Sequence, residues 1–169
     1  NKNDFILDYN FVQNNCMDLF LEFFGFWIAE GWASIKTRQR KNRKLSTTDY
    51  IVTICQTKIH TKTWIIDIIN KLGWNCTLHG NDKINIYNKT LCIFLKPFSV
   101  GAINKYLPSW VWDLSQNQCQ HLIKGLVFGD GNISNTGSWR YFTSSVKLRN
   151  DVQRLCLHAG WSANFVQTQ

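Results

Sequence analysis

The feature that most constrains this chain is an internal repeat. Phe23-Phe24-Gly25-Phe26-Trp27-Ile28-Ala29-Glu30-Gly31 lies over Ile123-Lys124-Gly125-Leu126-Val127-Phe128-Gly129-Asp130-Gly131 at an offset of 100 residues. Both copies run apolar, x, Gly, three large apolar residues, a small residue, an acid and Gly. Leu72-Gly73-Trp74 then matches Ala159-Gly160-Trp161, at an offset of 87. Ahead of each Gly-Trp stands an apolar stripe at helical spacing: Ile65, Ile68, Ile69 and Leu72 in one half, Val152, Leu155, Cys156 and Ala159 in the other. The glycine is the expected C-cap of each helix. A repeat of this kind predicts one supersecondary unit used twice around a shared core.

The intervals supply strands. Residues 32–40 alternate Ser34, Lys36, Arg38 and Arg40 against Ala33, Ile35 and Thr37, and a second strand is expected over 49–57 after a loop at 41–48. In the second half a shorter hairpin runs from Asn132 through the turn Asn135-Thr136-Gly137 to Ser145. Two further strands follow the first Gly-Trp, the clearer being 83–89, with isoleucines on one face. A third helix is expected after Pro97, and Pro108 interrupts the chain before the second motif helix. The reading is an α+β fold of two pseudo-symmetric αββαββα halves. Residues 1–107 form the first, and residues 108–169 form a second that stops about 30 residues short of the full pattern.

Within each motif two small residues stand four apart, Gly25 with Ala29 and Gly125 with Gly129, and so share a helix face. Small-xxx-small faces let two backbones approach closely, so the motif helices should cross along these four residues. That crossing carries the next residues, Glu30 and Asp130, to the helix ends on the pseudo-twofold axis. Acids at the negative end of a helix dipole, held near one another, are unfavourable unless a cation offsets them. Oxygen donors favour Mg²⁺, or Mn²⁺, in that role.

The sequence carries 19 Lys and Arg against 11 Asp and Glu, a net charge of +8. A basic folded domain points first to nucleic acid. Lys36, Arg38, Arg40, Lys41, Arg43 and Lys44 place six cations within nine residues. The first three, on one strand face, are candidates to enter the groove, and the loop cations are candidates for phosphates. Lys83, Asn85, Tyr87 and Lys89 offer a second polar strand face, and Arg140 a contact from the other half. Six cysteines and four histidines show neither C-x-x-C pairs nor metal-ligand spacing, a pattern that argues against a zinc knuckle or a disulfide scaffold, and the thiols read as single small hydrophobes in a reducing compartment. Residues 19–29 are too short to span a bilayer and contain Glu22, and no signal-peptide pattern opens the chain. The expected setting is intracellular, with no membrane partner.

These residues together resemble the LAGLIDADG, or dodecapeptide, homing endonucleases, most closely the branch embedded in inteins. The second motif is the closer match. The first departs by carrying Glu30 where Asp is usual, and its extra methylene shifts the carboxylate. Lys105-Tyr106-Leu107-Pro108-Ser109-Trp110-Val111 resembles the stretch that precedes the second motif in intein endonucleases. The resemblance covers nearly the whole chain, from about Asp18 onward. It implies a saddle of two sheets over double-stranded DNA and a staggered cut made with divalent metal. It assigns Glu30 and Asp130 as catalytic metal ligands, with the neighbouring Ala29, Gly31 and Gly129 at the metal centre, and Lys105 as a catalytic cation. It also implies a monomer. Asn1 in place of Met fits a piece of a longer host polypeptide, and the chain has no terminal Cys or Ser nucleophile and no terminal His-Asn with which to splice. The competing expectation is a decayed member that binds nucleic acid without cutting, as a maturase or regulator would.

Overall fold

The computed structural model describes residues 16–39 and 46–166. The elements in chain order are α1 (Met17–Glu30), β1 (Gly31–Gln39), β2 (Ser46–Cys55), α2 (Ile59–Lys71), β3 (Cys76–His79), β4 (Lys83–Ile86) and α3 (Lys89–Leu95). They continue with α4 (Gln116–Asp130), β5 (Gly131–Ile133), β6 (Trp139–Tyr141) and α5 (Val146–His158). The two repeats are visible in this order: α1 and α4 both end on the acid and pass straight into a strand. Helices α2 and α5 occupy equivalent positions at the 87-residue offset.

Helix α1 is apolar on all sides, and it is buried on all sides: Phe20 to Ala29 are without exception inaccessible. One face meets α4. The other holds an aromatic cluster in which Phe23 meets Trp74 edge-on at 4.9 Å and Phe24 meets Trp110 at 5.2 Å. Each such ring contributes about 1.5–3 kcal/mol by leaving water. Helix α4 starts at a capping box in which the Ser115 side chain accepts from the Gln118 N–H and the Gln118 side chain accepts from the Ser115 N–H.

Helices α2 and α5 stop in the same way. Gly73 and Gly160 take φ of 75° and 77°, a region that costs other residues, and the following Trp74 and Trp161 N–H groups donate back to Ile69 and Cys156.

The first half carries an antiparallel four-stranded sheet of order β1-β2-β4-β3, and the second carries the two-stranded hairpin β5-β6. Register puts Ala33, Val52, Ile54, Ile84 and Ile86 on the buried face.

Three details differ from the sequence expectation. The third helix precedes Pro97 rather than following it: the Asn88 side chain caps it by accepting from Leu91, its buried Leu91, Cys92 and Leu95 share a face, and Pro97 sits in the 3-10 turn that ends it. Strand β4 ends at Ile86, so Tyr87 lies beyond it and Lys89 opens α3, where its ammonium stands 5.4 Å over the Tyr50 ring. Strand β2 starts three residues earlier than expected, at Ser46, because it pairs with β1 along the full length to Gln39.

Candidate active site and nucleic-acid face

The four small residues of the repeat meet at the α1–α4 crossing. A Cβ added to Gly25 would strike the Leu122 carbonyl and come within 2.8 Å of the Leu126 nitrogen. One added to Gly125 would overlap the Glu22 backbone, and one added to Gly129 would overlap the Ala29 methyl. At Gly25 and Gly125 backbone lies against backbone, so only glycine fits there. The same approach sets the acids: the Cγ of Glu30 is 3.5 Å from the position a Gly129 Cβ would take.

Glu30 and Asp130 are each about half buried and electrostatically coupled. Burial first, and the Asp130 carboxylate second, push the Glu30 carboxyl above its ordinary value, while Lys105 and Lys58 pull it back. Burial also pushes Asp130 up, against the same two lysines. Lys105 is held at two points: its ammonium donates to the Ala29 carbonyl, and its carbonyl accepts from Ser145 Oγ at 2.7 Å. Burial lowers the Lys105 ammonium, opposed by the two carboxylates. Its bond to Ala29 also means that this carbonyl, placed at the metal centre by the resemblance, already has a cationic partner.

Sequence reasoning missed two neighbours of the acids. Lys58, just before α2, contributes positive charge to both. Tyr141 on β6 is pushed far up by burial and then by Asp130. Neither carries a local motif; only the strand and helix ends bring them in. A cleft of about 320 Å³ opens beside Glu30, with Trp27, Cys55, Ser99 and Lys105 in its walls. The Trp27 indole N–H there is buried and has no hydrogen-bond partner among the described residues.

At the opposite end of the crossing, Glu22 is buried and accepts from His121 Nδ1 and Lys124 Nζ, both at 2.8 Å. The equivalent residue of the second motif is Leu122, so this contact breaks the pseudo-symmetry and ties α1 to α4 in one register. Its sequence signal was the lone acid in an apolar run. All six cysteines are free. Among the described residues no group of three or more His, Cys, Asp or Glu side chains gathers at metal distance, so any cation held at Glu30 and Asp130 rests on two carboxylates and needs further oxygen donors from outside the side-chain set. That oxygen-donor chemistry fits Mg²⁺ or Mn²⁺.

The raised carboxyls, pushed up first by burial, have a measurable consequence without metal. The folded chain holds a proton on the acid pair to higher pH than the unfolded chain does, so stability rises as pH falls through the window above the ordinary value of 4.5 for Glu30. In metal-free buffer, Glu30→Gln should be more stable than the parent above that window, and the difference should disappear as pH drops through it. Parallel melting profiles across the range would show that folding does not raise the Glu30 carboxyl.

Register also places the candidate DNA residues. Trp32 faces Thr53, Thr53 faces Asn85, and the alternation carries Lys36, Arg38 and Lys83 to that same face of the first sheet. Asn85 accepts from Thr53 Oγ1 at 2.9 Å, and Arg38 reaches across to Asp49 at 3.1 Å in an exposed pair. In the second hairpin Arg140 faces Asn132, the counterpart of the Trp32 position. Arg40, Lys41, Arg43 and Lys44 lie outside the described residues. Tyr87 and Lys89 fall off the strand, as above.

Comparison with known proteins follows this geometry. The chain superposes on the crystal structure of I-DmoI in complex with its target DNA with a TM-score of 0.58, at 15% identity, covering 87% of this chain and 78% of that one. The fold is that of the LAGLIDADG homing endonucleases. No protein-family model matches the chain. Two curated proteins match in sequence: an ATP-dependent Clp protease proteolytic subunit of Chlamydomonas moewusii, 40% identical over 145 residues, and a DNA-directed RNA polymerase subunit beta C-terminal section of Stigeoclonium helveticum, 34% identical over 180 residues. The matches cover 85% and 88% of this chain but only 14% and 16% of those proteins' lengths. No helix among the described residues is long and apolar enough to cross a membrane.

Proposed function

We propose that this chain is a LAGLIDADG homing endonuclease that makes a site-specific double-strand cut in DNA by phosphodiester hydrolysis with divalent metal, carried as an insert, of intein type, in a host polypeptide. The observation that carries the reading is the coupled pair Glu30 and Asp130 at the ends of two helices whose glycine faces touch. Structural packing alone does not call for two half-buried acids at the negative ends of two helices. Mg²⁺ or Mn²⁺ bound by the two carboxylates would supply charge neutralisation at the phosphate and a more acidic water. Lys105, fixed through the Ala29 carbonyl, and Lys58 hold positive charge where a phosphate would gain negative charge in the transition state. The two halves are residues 1–107 and 108–169, acting as one monomer on the two strands.

The host reading is supported by the relatives. A protease subunit and a polymerase subunit have no chemistry in common, yet each matches this chain over about a seventh of its length. A segment common to such unlike proteins serves neither activity and is best understood as an insert.

The test is cleavage of a plasmid bearing the uninterrupted host gene, with Mg²⁺ or Mn²⁺. Linear product at one site is the expected result. Tight, metal-independent binding without cleavage would replace the nuclease reading with that of a binding module.

Recognition gives a separate expectation. Lys36→Ala, at a groove-facing strand position, should relax base preference and, by removing one cation from the DNA face, lower the salt slope of binding by at most about one unit. Arg38→Ala should relax preference at one or two base pairs, at a cost of roughly 1–3 kcal/mol for a bidentate contact. Affinity across a salt series on target and scrambled duplexes measures both. No change in slope or preference would remove this face from the DNA.

A further inference from the structure

Asp49 is a carboxylate in an unfavourable place. On the face of the first sheet that carries Lys36, Arg38, Lys83 and Asn85, it is the one acid among the paired strand positions. A negative charge there repels phosphates, so on a surface that meets DNA it lowers affinity for every sequence alike. Folding does not call for it either. Asp49 stands opposite Lys36 and diagonal to Arg38, and its Oδ2 lies 3.1 Å from Arg38 Nε in an ion pair. The Arg38 side chain is 68% exposed and that of Asp49 37%. Exposed pairs of this kind add little to stability.

What the pair does is restrict a side chain. A free arginine samples many rotamers, and a partner must fix one of them on binding. Here the carboxylate holds the guanidinium at Nε, the corner nearest the chain. A guanidinium carries five N–H donors in a rigid fork, and an anchor at Nε leaves the four on the two Nη atoms for a partner. The exposure of Arg38 keeps that end open. Two parallel N–H donors match the O6 and N7 acceptors of guanine in the major groove. Adenine sets the N6 amino donor beside N7, which opposes the second N–H.

We propose that Asp49 is a positioning residue that presents the Arg38 fork to one guanine, so that guanine is preferred over adenine at that position of the bound DNA. This role rests on the DNA-binding part of the function proposed above and is independent of cleavage. Arg38 stands seven residues past Gly31, about 23 Å along β1, so the guanine lies well outside the phosphates addressed by Glu30. In the second half β5 ends at Ile133 and β6 begins at Trp139, so no strand positions among the described residues match Arg38 and Asp49. The preference therefore belongs to one half-site. The repulsion of phosphates by Asp49 is the cost of that selectivity, and it makes affinity and preference move in opposite directions when Asp49 is removed.

The experiment measures binding of the whole chain in metal-free buffer to a pool of duplexes with randomised positions. The preferred duplex is then tested with each guanine replaced in turn by 7-deazaguanine, which lacks the N7 acceptor. The parent chain should lose about tenfold in affinity at one guanine. Asp49→Ala should lose about tenfold in preference for guanine over adenine at that same position, while binding scrambled duplexes more tightly than the parent. Asp49→Asn, which keeps an oxygen beside Arg38, should retain more of the preference. Asp49→Ala combined with Arg38→Ala should lose no more than Arg38→Ala alone, as two residues acting together do. Tighter binding by Asp49→Ala to all duplexes with the guanine preference intact would overturn the proposal and leave Asp49 a repelling charge only. So would a loss at a position that Arg38→Ala does not affect, which would mean that the carboxylate meets a cytosine itself or serves Lys36. Failure to bind any duplex would overturn this role and the proposed function together. The expected preferences without cleavage under Mg²⁺ or Mn²⁺ would remove the nuclease reading and leave this role standing.

Discussion

Gly125→Leu should be the most damaging single substitution in this chain. The Cβ alone would overlap the carbonyl of Glu22 on the facing helix, and backbone on both sides leaves nothing flexible to move. The two helices would have to part, which also exposes Phe26, Leu122 and Leu126 and pulls Glu22 from His121 and Lys124. Overpacking ordinarily costs about 1–3 kcal/mol, and a forced separation of two backbones lies at or beyond the top of that range. For a chain of this length each kcal/mol lowers the melting temperature by about 2–4 °C, so a fall of about 10 °C is expected. Gly25→Ala should show a smaller loss of the same kind. Leu157→Ala, at an exposed position of α5, is the control and should change little. A melting temperature for Gly125→Leu within 2 °C of the parent, allowing about that for error, would show that the helices do not meet as described.

Asp130→Asn should remove DNA cleavage while leaving DNA binding close to that of the parent. The substitution keeps shape and volume, so the helix crossing and the β5–β6 hairpin, including the bond from the Phe142 N–H to the Asp130 carbonyl, are retained. What it removes is one of two charges available to hold a divalent cation over the phosphate. Metal stabilisation of a phosphoryl transition state is worth several kcal/mol, and each 1.36 kcal/mol is tenfold, so the loss should be on the order of a thousandfold in single-turnover rate. Binding should survive because the polar face with Lys36, Arg38 and Lys83 lies on another part of the chain. Cleavage by Asp130→Asn within tenfold of the parent would reject the assignment of Asp130 on this scale.

Much of the architecture was legible before any coordinates. The repeat at 100 and 87 residues named both crossing helices and both capped helices, because glycine is required wherever backbones touch or φ turns positive, and such requirements leave a readable mark at Gly25, Gly125, Gly73 and Gly160. Alternation placed Lys36, Arg38, Lys83 and Asn85 on one face because the period of a strand is two. The same pattern overran at Tyr87 and Lys89. Alternation does not say where a strand stops, and the Asn88 cap, a local hydrogen bond to Leu91, ended it. Pro97 misled in the other direction: it marks the close of α3 instead of its approach.

The remainder was decided by tertiary contact. Lys58 and Tyr141 stand beside the acid pair through the docking of α2 and β6, and neither carries a local signature. Glu22 looked like an interruption of an apolar helix; its meaning depends on His121 and Lys124, 99 and 102 residues away. Sequence by itself determined the elements, their duplication and the acids at their ends, since periodicity, capping and glycine requirements act over a few residues. The partners of those acids and the exposure of Ile133 and Trp139 on the second hairpin depend on which surfaces the packed halves bring together, and that is a property of long-range burial rather than of any local run of residues.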